Sequence, residues 1–247
     1  MSKLESLTLK CPNPKAQVAF YTSVLGFDAR PNGHLRYSED EASLLFEPGE
    51  GAYLSSQSDV YWKIAISVPN LDLAYRQLNN QGISVSEPRQ FLDVGYLAHL
   101  SDPEGFAIEL IEHTFKGHRK DIEFNQSLLG GGPCLNLITL RANEIAPIRQ
   151  ELLDWGMRPL CVQPVPSHGF TLHFFAFTQD RPPNADLLAV ENRTWTYQRP
   201  YTVLEIQEVH GAEPMIHPVS SACGYVRTQI GGFGRIASLP PLGIECA

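Results

Sequence analysis

The sequence of 247 residues lacks the features that mark membrane, secreted or nucleic-acid-binding proteins. No stretch approaches the run of about 18 apolar residues that a membrane-spanning helix needs. Residues 1–6 lack the apolar core of a signal peptide. Acidic residues outnumber basic ones by 27 to 19, so a basic surface for nucleic acid is not expected. The sequence therefore predicts a soluble protein with neither membrane nor nucleic-acid partners.

Cysteine is scarce and scattered. The five cysteines form no Cys-x-x-Cys pair, which argues against a disulfide framework and against a zinc knuckle. An odd number of distant cysteines suits a reducing compartment, so we expect a cytoplasmic location. The glycine-rich loops that hold nucleotide phosphates and the Gly-x-Ser-x-Gly nucleophile elbow are also absent.

The most informative segment that is present covers residues 100–110. Two apolar strands flank an Asp-Pro-Glu-Gly turn, in which Pro presets the turn dihedrals and Gly accepts a positive φ. Glu109 is the single carboxylate in the apolar run that follows the turn. Burying an unpaired carboxylate is costly, so Glu109 is expected to have a metal, a Lys or Arg, or a substrate as its partner. The alternative is an edge-strand glutamate that points to water.

An internal repeat indicates the architecture. A strand, a turn and a helix closed by glycine occupy residues 6–26, and the pattern returns at residues 63–82 and 135–156. Several short strands follow each helix, which predicts an α+β fold built from a repeated unit of one helix and several strands. Residues 210–247 leave room for only a truncated fourth module. We expect one domain at residues 1–115, a polar and Gly-rich linker at 116–132, and a second domain at 133–247.

Three segments in this order resemble the vicinal oxygen chelate superfamily, which groups glyoxalase I, extradiol dioxygenases and bleomycin-resistance proteins. These segments are residues 20–27, 68–72 and 102–110, and residues 170–177 and 202–206 resemble the longer first module of glyoxalase I. The resemblance implies paired βαβββ modules that curve into two half-open barrels. It also implies an active site on a concave face, where His and Glu side chains from the first and last strands hold a divalent metal.

In its first half, the sequence differs from the family pattern at the positions where that pattern has metal ligands. Ser6 and Lys63 stand where the resemblance implies histidine ligands, and Glu109 stands at the carboxylate position. A protonated ammonium cannot ligate a metal, so Lys63 is predicted to occupy the metal's place and to pair with Glu109. The alternative is a lysine that extends along an edge strand into solvent. His99, across the hairpin from Glu109, is a candidate acid or base of the pocket.

The second half departs from the resemblance as well. Asn136 stands where glyoxalase I has a Gln ligand, Glu205 matches its Glu, and Arg235 replaces the following His. Arg235 is predicted to pair with Glu205 or to bind an anionic ligand. His173 is the spare nitrogen ligand, so a metal set here would consist of Glu205, His173 and Asn136.

Three functions are open at this point. The first is a metal-free protein that binds a small molecule on a concave face lined by aromatic residues such as Tyr37 and Phe175, with Lys63 and Arg235 as polar contacts. The second is a lyase, isomerase or extradiol-type dioxygenase that uses Zn, Mn, Fe or Ni, with Glu205 or Glu109 as the base. The third is an inactive scaffold, a homodimer formed through the sheet edge that the short fourth module leaves open.

Overall fold

The computed structural model describes residues 2–120, 123–234 and 236–246. Its first two modules follow the strand–helix–strand order predicted from the sequence. Module 1 (residues 3–48) consists of β1 (Lys3–Cys11), α1 (Pro14–Ser23), β2 (Asp28–Ala29), β3 (Leu35–Arg36) and β4 (Ser43–Pro48). Module 2 (residues 61–112) consists of β5 (Tyr61–Val68), α2 (Leu71–Asn80), β6 (Arg89–Phe91), β7 (Gly95–Ser101) and β8 (Ala107–Glu112).

The second half contains a longer module and a short one. Module 3 (residues 134–209) consists of β9 (Cys134–Ala142), α3 (Ile145–Asp154), β10 (Arg158–Val165), β11 (Phe170–Ala176), α4 (Glu191–Tyr197) and β12 (Val203–Val209). Module 4 (residues 224–246) consists of β13 (Gly224–Gly231), β14 (Ala237–Leu239) and β15 (Ile244–Cys246). Helix α4 lies within the polar stretch at residues 178–200, for which the sequence predicts no helix.

Asparagine side chains fix the start of the helices in modules 1 and 2. The side chain of Asn13 accepts a hydrogen bond from the backbone N–H of Ala16, and Pro14 supplies the fixed φ that suits a first helical turn. The side chain of Asn70 accepts from the N–H of Leu73 in the same way. These are the Pro-Asn turns that recur in the sequence, and each satisfies a donor that the helix itself leaves free.

The Asp-Pro-Glu-Gly turn forms the predicted hairpin, because β7 pairs antiparallel with β8. Asp102 Oδ1 accepts from the backbone N–H groups of Glu104 and Phe106, and Gly105 has φ +93°. Asp102 Oδ2 also accepts from Gln17 Nε2 and from the Tyr21 hydroxyl, both on α1. The aspartate therefore closes the turn and ties module 2 to module 1.

The strands assemble into two sheets that each draw on both halves of the chain. The order of the seven-stranded sheet is β14-β15-β13-β1-β4-β3-β2, and that of the eight-stranded sheet is β10-β11-β12-β9-β5-β8-β7-β6. Module 1 thus pairs with module 4 through β1 and β13, and module 2 pairs with module 3 through β5 and β9. The α+β fold class of repeated modules is confirmed. The expected division at residues 115 and 133 is corrected, because both sheets cross it.

The glycine-rich end of the expected linker, residues 129–131, packs against α2. The N–H of Gly130 donates to Gln77 Oε1 at 2.9 Å, and the N–H of Asn70 donates to the carbonyl of Gly130 at 3.1 Å. Gly130 has φ +58°, and a Cβ at this position would lie 2.6 Å from the Cβ of Val68. Only glycine permits this close approach.

Apolar side chains form two clusters. The larger lies between the sheets and the helices, and the smaller lies on the inner face of the eight-stranded sheet, around residues such as Leu97, Leu137 and Tyr197. Within the described residues, no helix has both the length and the apolar character needed to cross a membrane.

Candidate active site

The centre of the eight-stranded sheet brings the first and last strands of modules 2 and 3 together, in the order β12-β9-β5-β8. Lys63 on β5 is in register with Thr139 on β9, and Thr139 is in register with Glu205 on β12. Glu109 on β8 is in register with Ala65, two residues after Lys63. Because alternate residues of a strand share one face, these four polar side chains meet on the inner face.

Lys63 lies between the two glutamates. Its Nζ donates to Glu109 Oε1 at 2.9 Å and to Glu205 Oε2 at 3.1 Å. The exposed fractions of the Lys63, Glu109 and Glu205 side chains are 3%, 8% and 2%, so this ion pair is buried. The Thr139 hydroxyl also donates to Glu205 Oε2. The alternative prediction, that Lys63 extends along an edge strand into solvent, is therefore wrong.

His99 links the buried ion pair to the surface. Its Nε2 lies 3.1 Å from Glu109 Oε2, and its side chain is 40% exposed. The contact follows from the hairpin, in which His99 and Glu109 are directly opposite each other. His99, Glu109, Lys63 and Glu205 thus form a continuous polar chain from the solvent to the centre of the sheet.

Burial and charge act in opposite directions on the three ionised groups. Burial alone lowers the pKa of Lys63, but the carboxylates of Glu109 and Glu205 outweigh this effect and raise that pKa, so Lys63 is an ammonium. Burial would raise the pKa of Glu109, yet Lys63 and His99 lower it to about 2. The pKa of Glu205 is raised, because burial and the charge of Glu109 exceed the effect of Lys63. Glu205 is therefore the carboxylate that takes up a proton more readily.

A small cavity of about 30 Å³ adjoins the three groups, with room for about one water molecule. Its aromatic lining consists of Trp62, Phe91, Phe170 and Tyr197. Tyr197 belongs to α4, and its hydroxyl donates to the carbonyl of Val94 at 3.0 Å. The polar stretch at residues 178–200 therefore supplies part of the cover of this cavity.

The residues at the centre do not fit a divalent metal. The ammonium of Lys63 occupies the space between the two carboxylates, and a protonated amine has no lone pair to offer a cation. Throughout the described part of the chain, no three His, Cys, Asp or Glu side chains are grouped so as to hold a metal ion.

The predicted metal set of Glu205, His173 and Asn136 is corrected. On β11, Phe174 is in register with Glu205 and His173 with Ile206, so His173 lies on the opposite face, where its Nε2 contacts Glu208 Oε2 at 3.3 Å. The side-chain amide of Asn136 instead donates to the carbonyls of Thr196 and Arg199.

Two predicted pocket residues lie elsewhere. Phe175 points away from Glu205 into the larger apolar cluster, since its neighbour Phe174 occupies the inner face. Tyr37 packs in module 1, where its ring centroid is 4.0 Å from that of Phe27 and its hydroxyl donates to the carbonyl of Leu25. Arg235, the predicted partner of Glu205, lies outside the described residues.

Sequence reasoning missed Thr139 and two of the aromatic residues that line the cavity, Phe91 and Tyr197. Thr139 lies two residues after Leu137 on β9, so the two side chains share the face of the strand that looks onto the cavity. This periodicity would have identified Thr139 in place of Asn136. Phe91 and Tyr197 come from a short strand and a helix outside the repeated pattern. No signal in the sequence joins them to the site.

Replacing Lys63 with histidine is expected to create a metal site, because an imidazole between two carboxylates is a donor set that zinc accepts. Zn²⁺ should then raise the thermal unfolding midpoint of K63H and leave the midpoint of the unaltered protein unchanged. Lys15→His, at an exposed position on α1, is the matched control. A zinc-dependent rise in the unaltered protein would contradict the assignment of Lys63 to the metal position.

The sequence and the fold were compared with protein-family models, curated proteins and solved structures. The family model of the Glyoxalase/Bleomycin resistance protein/Dioxygenase superfamily matches residues 3–110. No curated protein matches the sequence. Among solved structures, glyoxalase I from Zea mays is 15% identical with a TM-score of 0.65, over 100% of this chain and 91% of that chain.

Two further structures are similar. A mutant of Zea mays glyoxalase I is 16% identical with a TM-score of 0.61, over 94% of this chain and 74% of that chain. A putative dioxygenase from Bacillus subtilis is 14% identical with a TM-score of 0.55, over 93% of this chain and 69% of that chain. Likenesses at this level of identity show the fold alone. Residues 3–110 are thus similar to the Glyoxalase/Bleomycin resistance protein/Dioxygenase superfamily, and the whole chain has the fold of glyoxalase I.

Proposed function

We propose that this protein binds a small aromatic molecule at the cavity of the eight-stranded sheet, without a metal ion. The observation that carries the proposal is the position of Lys63 Nζ, 2.9 Å from Glu109 and 3.1 Å from Glu205. The ammonium neutralises the carboxylates that would otherwise attract a cation. The group at the centre of the concave face is then a fixed polar anchor, which can orient a ligand but cannot act as a Lewis acid.

The lining of the cavity supports the ligand class. Small-molecule sites are mostly apolar and contain a few polar groups that fix orientation. Trp62, Phe91 and Phe170 supply flat apolar surfaces, while Glu109 and His99 offer acceptor and donor atoms to a ligand hydroxyl. A ligand larger than water needs more space than the cavity provides, so binding requires some of the lining residues to move.

A proton-transferring enzyme is the second candidate, favoured by the raised pKa of Glu205. A buried carboxyl that holds its proton more readily than usual is suited to general acid–base work near neutral pH. This reaction would run without a metal, because the donor set at the centre does not fit one. The cytoplasmic location and the homodimer stay predictions from the sequence.

Binding of 1-naphthol, a small aromatic alcohol, tests the proposal. We expect 1-naphthol to quench the fluorescence of Trp62 in a saturable manner, because the indole lies in the cavity wall. Phe170→Ala should weaken this binding by about tenfold, since it removes one aromatic wall. The midpoint of thermal unfolding should not change when Mn²⁺, Ni²⁺ or Zn²⁺ is added.

Phe115→Ala is the matched control, because Phe115 contacts His118 and does not line the cavity. This variant should bind 1-naphthol as the unaltered protein does. The proposal fails if quenching does not saturate, or if F170A and F115A weaken it equally. A stoichiometric metal that survives dialysis and is lost in Glu109→Gln would favour metal-dependent chemistry instead.

A further inference from the structure

The seven-stranded sheet carries a row of polar residues across all its strands. Register places Asp28 beside Arg36, Ser6 beside both Ser43 and Gln229, and Glu245 beside both Gln229 and Ser238. Arg36 is adjacent to Ser43, because Leu35 is in register with Leu44 on an antiparallel pair. The row and the residues on the same side of the sheet, including Thr8 and Arg227, are called the polar face below.

The polar face has the same arrangement of register positions as the centre of the candidate active site, but different residues occupy them. Arg227 is in register with Thr8, as Lys63 is with Thr139. Glu245 is in register with the residue two positions after Arg227, as Glu109 is with the residue two positions after Lys63. Each sheet therefore places a cation opposite a threonine at the junction of its two modules.

The cation of the polar face is held loosely and is accessible. Arg227 lies 3.5 Å from Glu47 and 3.8 Å from Glu245, and its side chain is 31% exposed. Lys63 in the other sheet has shorter contacts and is almost fully buried. The exposed carboxylates Glu47 and Glu245 gain little from pairing with Arg227, so an anion can displace them.

Several polar groups on the polar face have no hydrogen-bond partner among the described residues. They are the hydroxyls of Thr8 and Ser43 and the Nε atoms of Arg36 and Arg227. Thr8 and Ser43 are 1% and 0% exposed. A buried hydroxyl without a partner costs free energy, and the two hydroxyls here lie on adjacent strands in one small area. A polar ligand that reaches this area would satisfy them.

We propose that the polar face binds a small organic carboxylate, a site that is separate from the cavity of the eight-stranded sheet. The guanidinium of Arg227 binds the carboxylate in forked geometry, and the hydroxyls of Thr8 and Ser43 donate to its oxygens. Arg36, which flanks Ser43, is already paired with Glu39, so Arg227 is the cation that binds the ligand. A planar carboxylate suits this set because a guanidinium presents two parallel N–H donors.

Calorimetric titration with sodium pyruvate, sodium succinate and sodium phosphate tests the proposal, with sodium chloride as the control for ionic strength. We expect saturable binding of at least one of the two carboxylates at millimolar concentration. Arg227→Gln should weaken that binding by about tenfold or more, because the forked contact is lost. Arg149→Gln, at an exposed position on α3, is the matched control and should bind normally.

Thr8→Val distinguishes a ligand-binding hydroxyl from a structural one. Valine has the same shape and removes a buried hydroxyl that has no partner, so the thermal midpoint of the unliganded protein should stay the same or rise. Carboxylate binding should weaken by about threefold to tenfold in the same variant.

The proposal is overturned if neither carboxylate binds, if R227Q and R149Q bind alike, or if T8V binds as tightly as the unaltered protein. Tighter binding of phosphate than of both carboxylates would overturn the assigned ligand class. Phe170→Ala, which alters the other cavity, should leave carboxylate binding unchanged. The two sites can therefore fail independently.

Discussion

Replacing Lys63 with methionine is expected to lower the free energy of unfolding by about 3–5 kcal/mol at neutral pH. Methionine retains most of the volume of the side chain but leaves Glu109 and Glu205 buried together without a cation. Two adjacent buried carboxylates cannot both ionise cheaply, so the variant must bind a proton or lose stability. Urea unfolding of K63M beside the unaltered protein measures this difference.

The pH dependence of K63M should have the opposite sign to the contribution that Glu109 makes in the unaltered protein. With Lys63 present, the pKa of Glu109 is about 2, below the ordinary value of 4.5, so its contribution to stability is lost as the pH falls from about 4.5 to about 2. Without Lys63, burial raises the pKa of both carboxyls, so K63M should become more stable as the pH falls from 7 towards 4.5. Lys15→Met, at an exposed position, should behave as the unaltered protein does at every pH. A stability loss in K63M that does not diminish on acidification would contradict this account.

Replacing Asp102 with alanine is expected to lower the free energy of unfolding by about 3 kcal/mol or more. The substitution removes the acceptor of four hydrogen bonds, from Gln17, Tyr21 and the N–H groups of Glu104 and Phe106. The two donors on α1 are buried and would be left without partners. Chemical unfolding followed by circular dichroism measures the loss.

Asp102→Asn separates the hydrogen bonds of this residue from its charge, and we expect it to cost only about 1 kcal/mol. Burial raises the pKa of Asp102 more than its hydrogen bonds lower it, so the folded protein favours the neutral carboxyl over the charged one. Asparagine retains an oxygen for the two backbone donors. Its amide can donate to Gln17 Oε1, which has no hydrogen-bond partner within the described residues, once the Gln17 amide rotates. Equal losses in D102N and D102A would show that the charge itself is required.

The local structure is largely predictable from the sequence, whereas the pairing of modules is not. Pro-Asn turns, helical periodicity and the Asp-Pro-Glu-Gly turn are short-range signals, and they identify the first strand and helix of each of the first three modules. The pairing of β1 with β13 joins residues more than 200 positions apart. Nothing in the periodicity of either strand specifies the other, so the expected division into an N-terminal and a C-terminal barrel is wrong.

The candidate site shows the same limit at the scale of single residues. Lys63, Glu109 and Glu205 occupy positions that the resemblance marks, and the structure brings them together. The predictions that Phe175 and His173 lie in the site are wrong, because each residue is next to Phe174, the residue that faces Glu205. A displacement of one residue on a strand moves a side chain to the other face, and a resemblance at low identity does not fix the register that closely.

The interleaved order of the strands dictates when each part of the chain is able to fold during synthesis. Residues 61–209 supply the whole eight-stranded sheet in one continuous stretch, so that sheet is complete before the last module leaves the ribosome. β1 has β4 on one side, but its other edge waits for β13. At ordinary translation rates this delay lasts roughly 10–40 s. During that time the N-terminal module presents an open strand edge, which is a template for pairing with other chains.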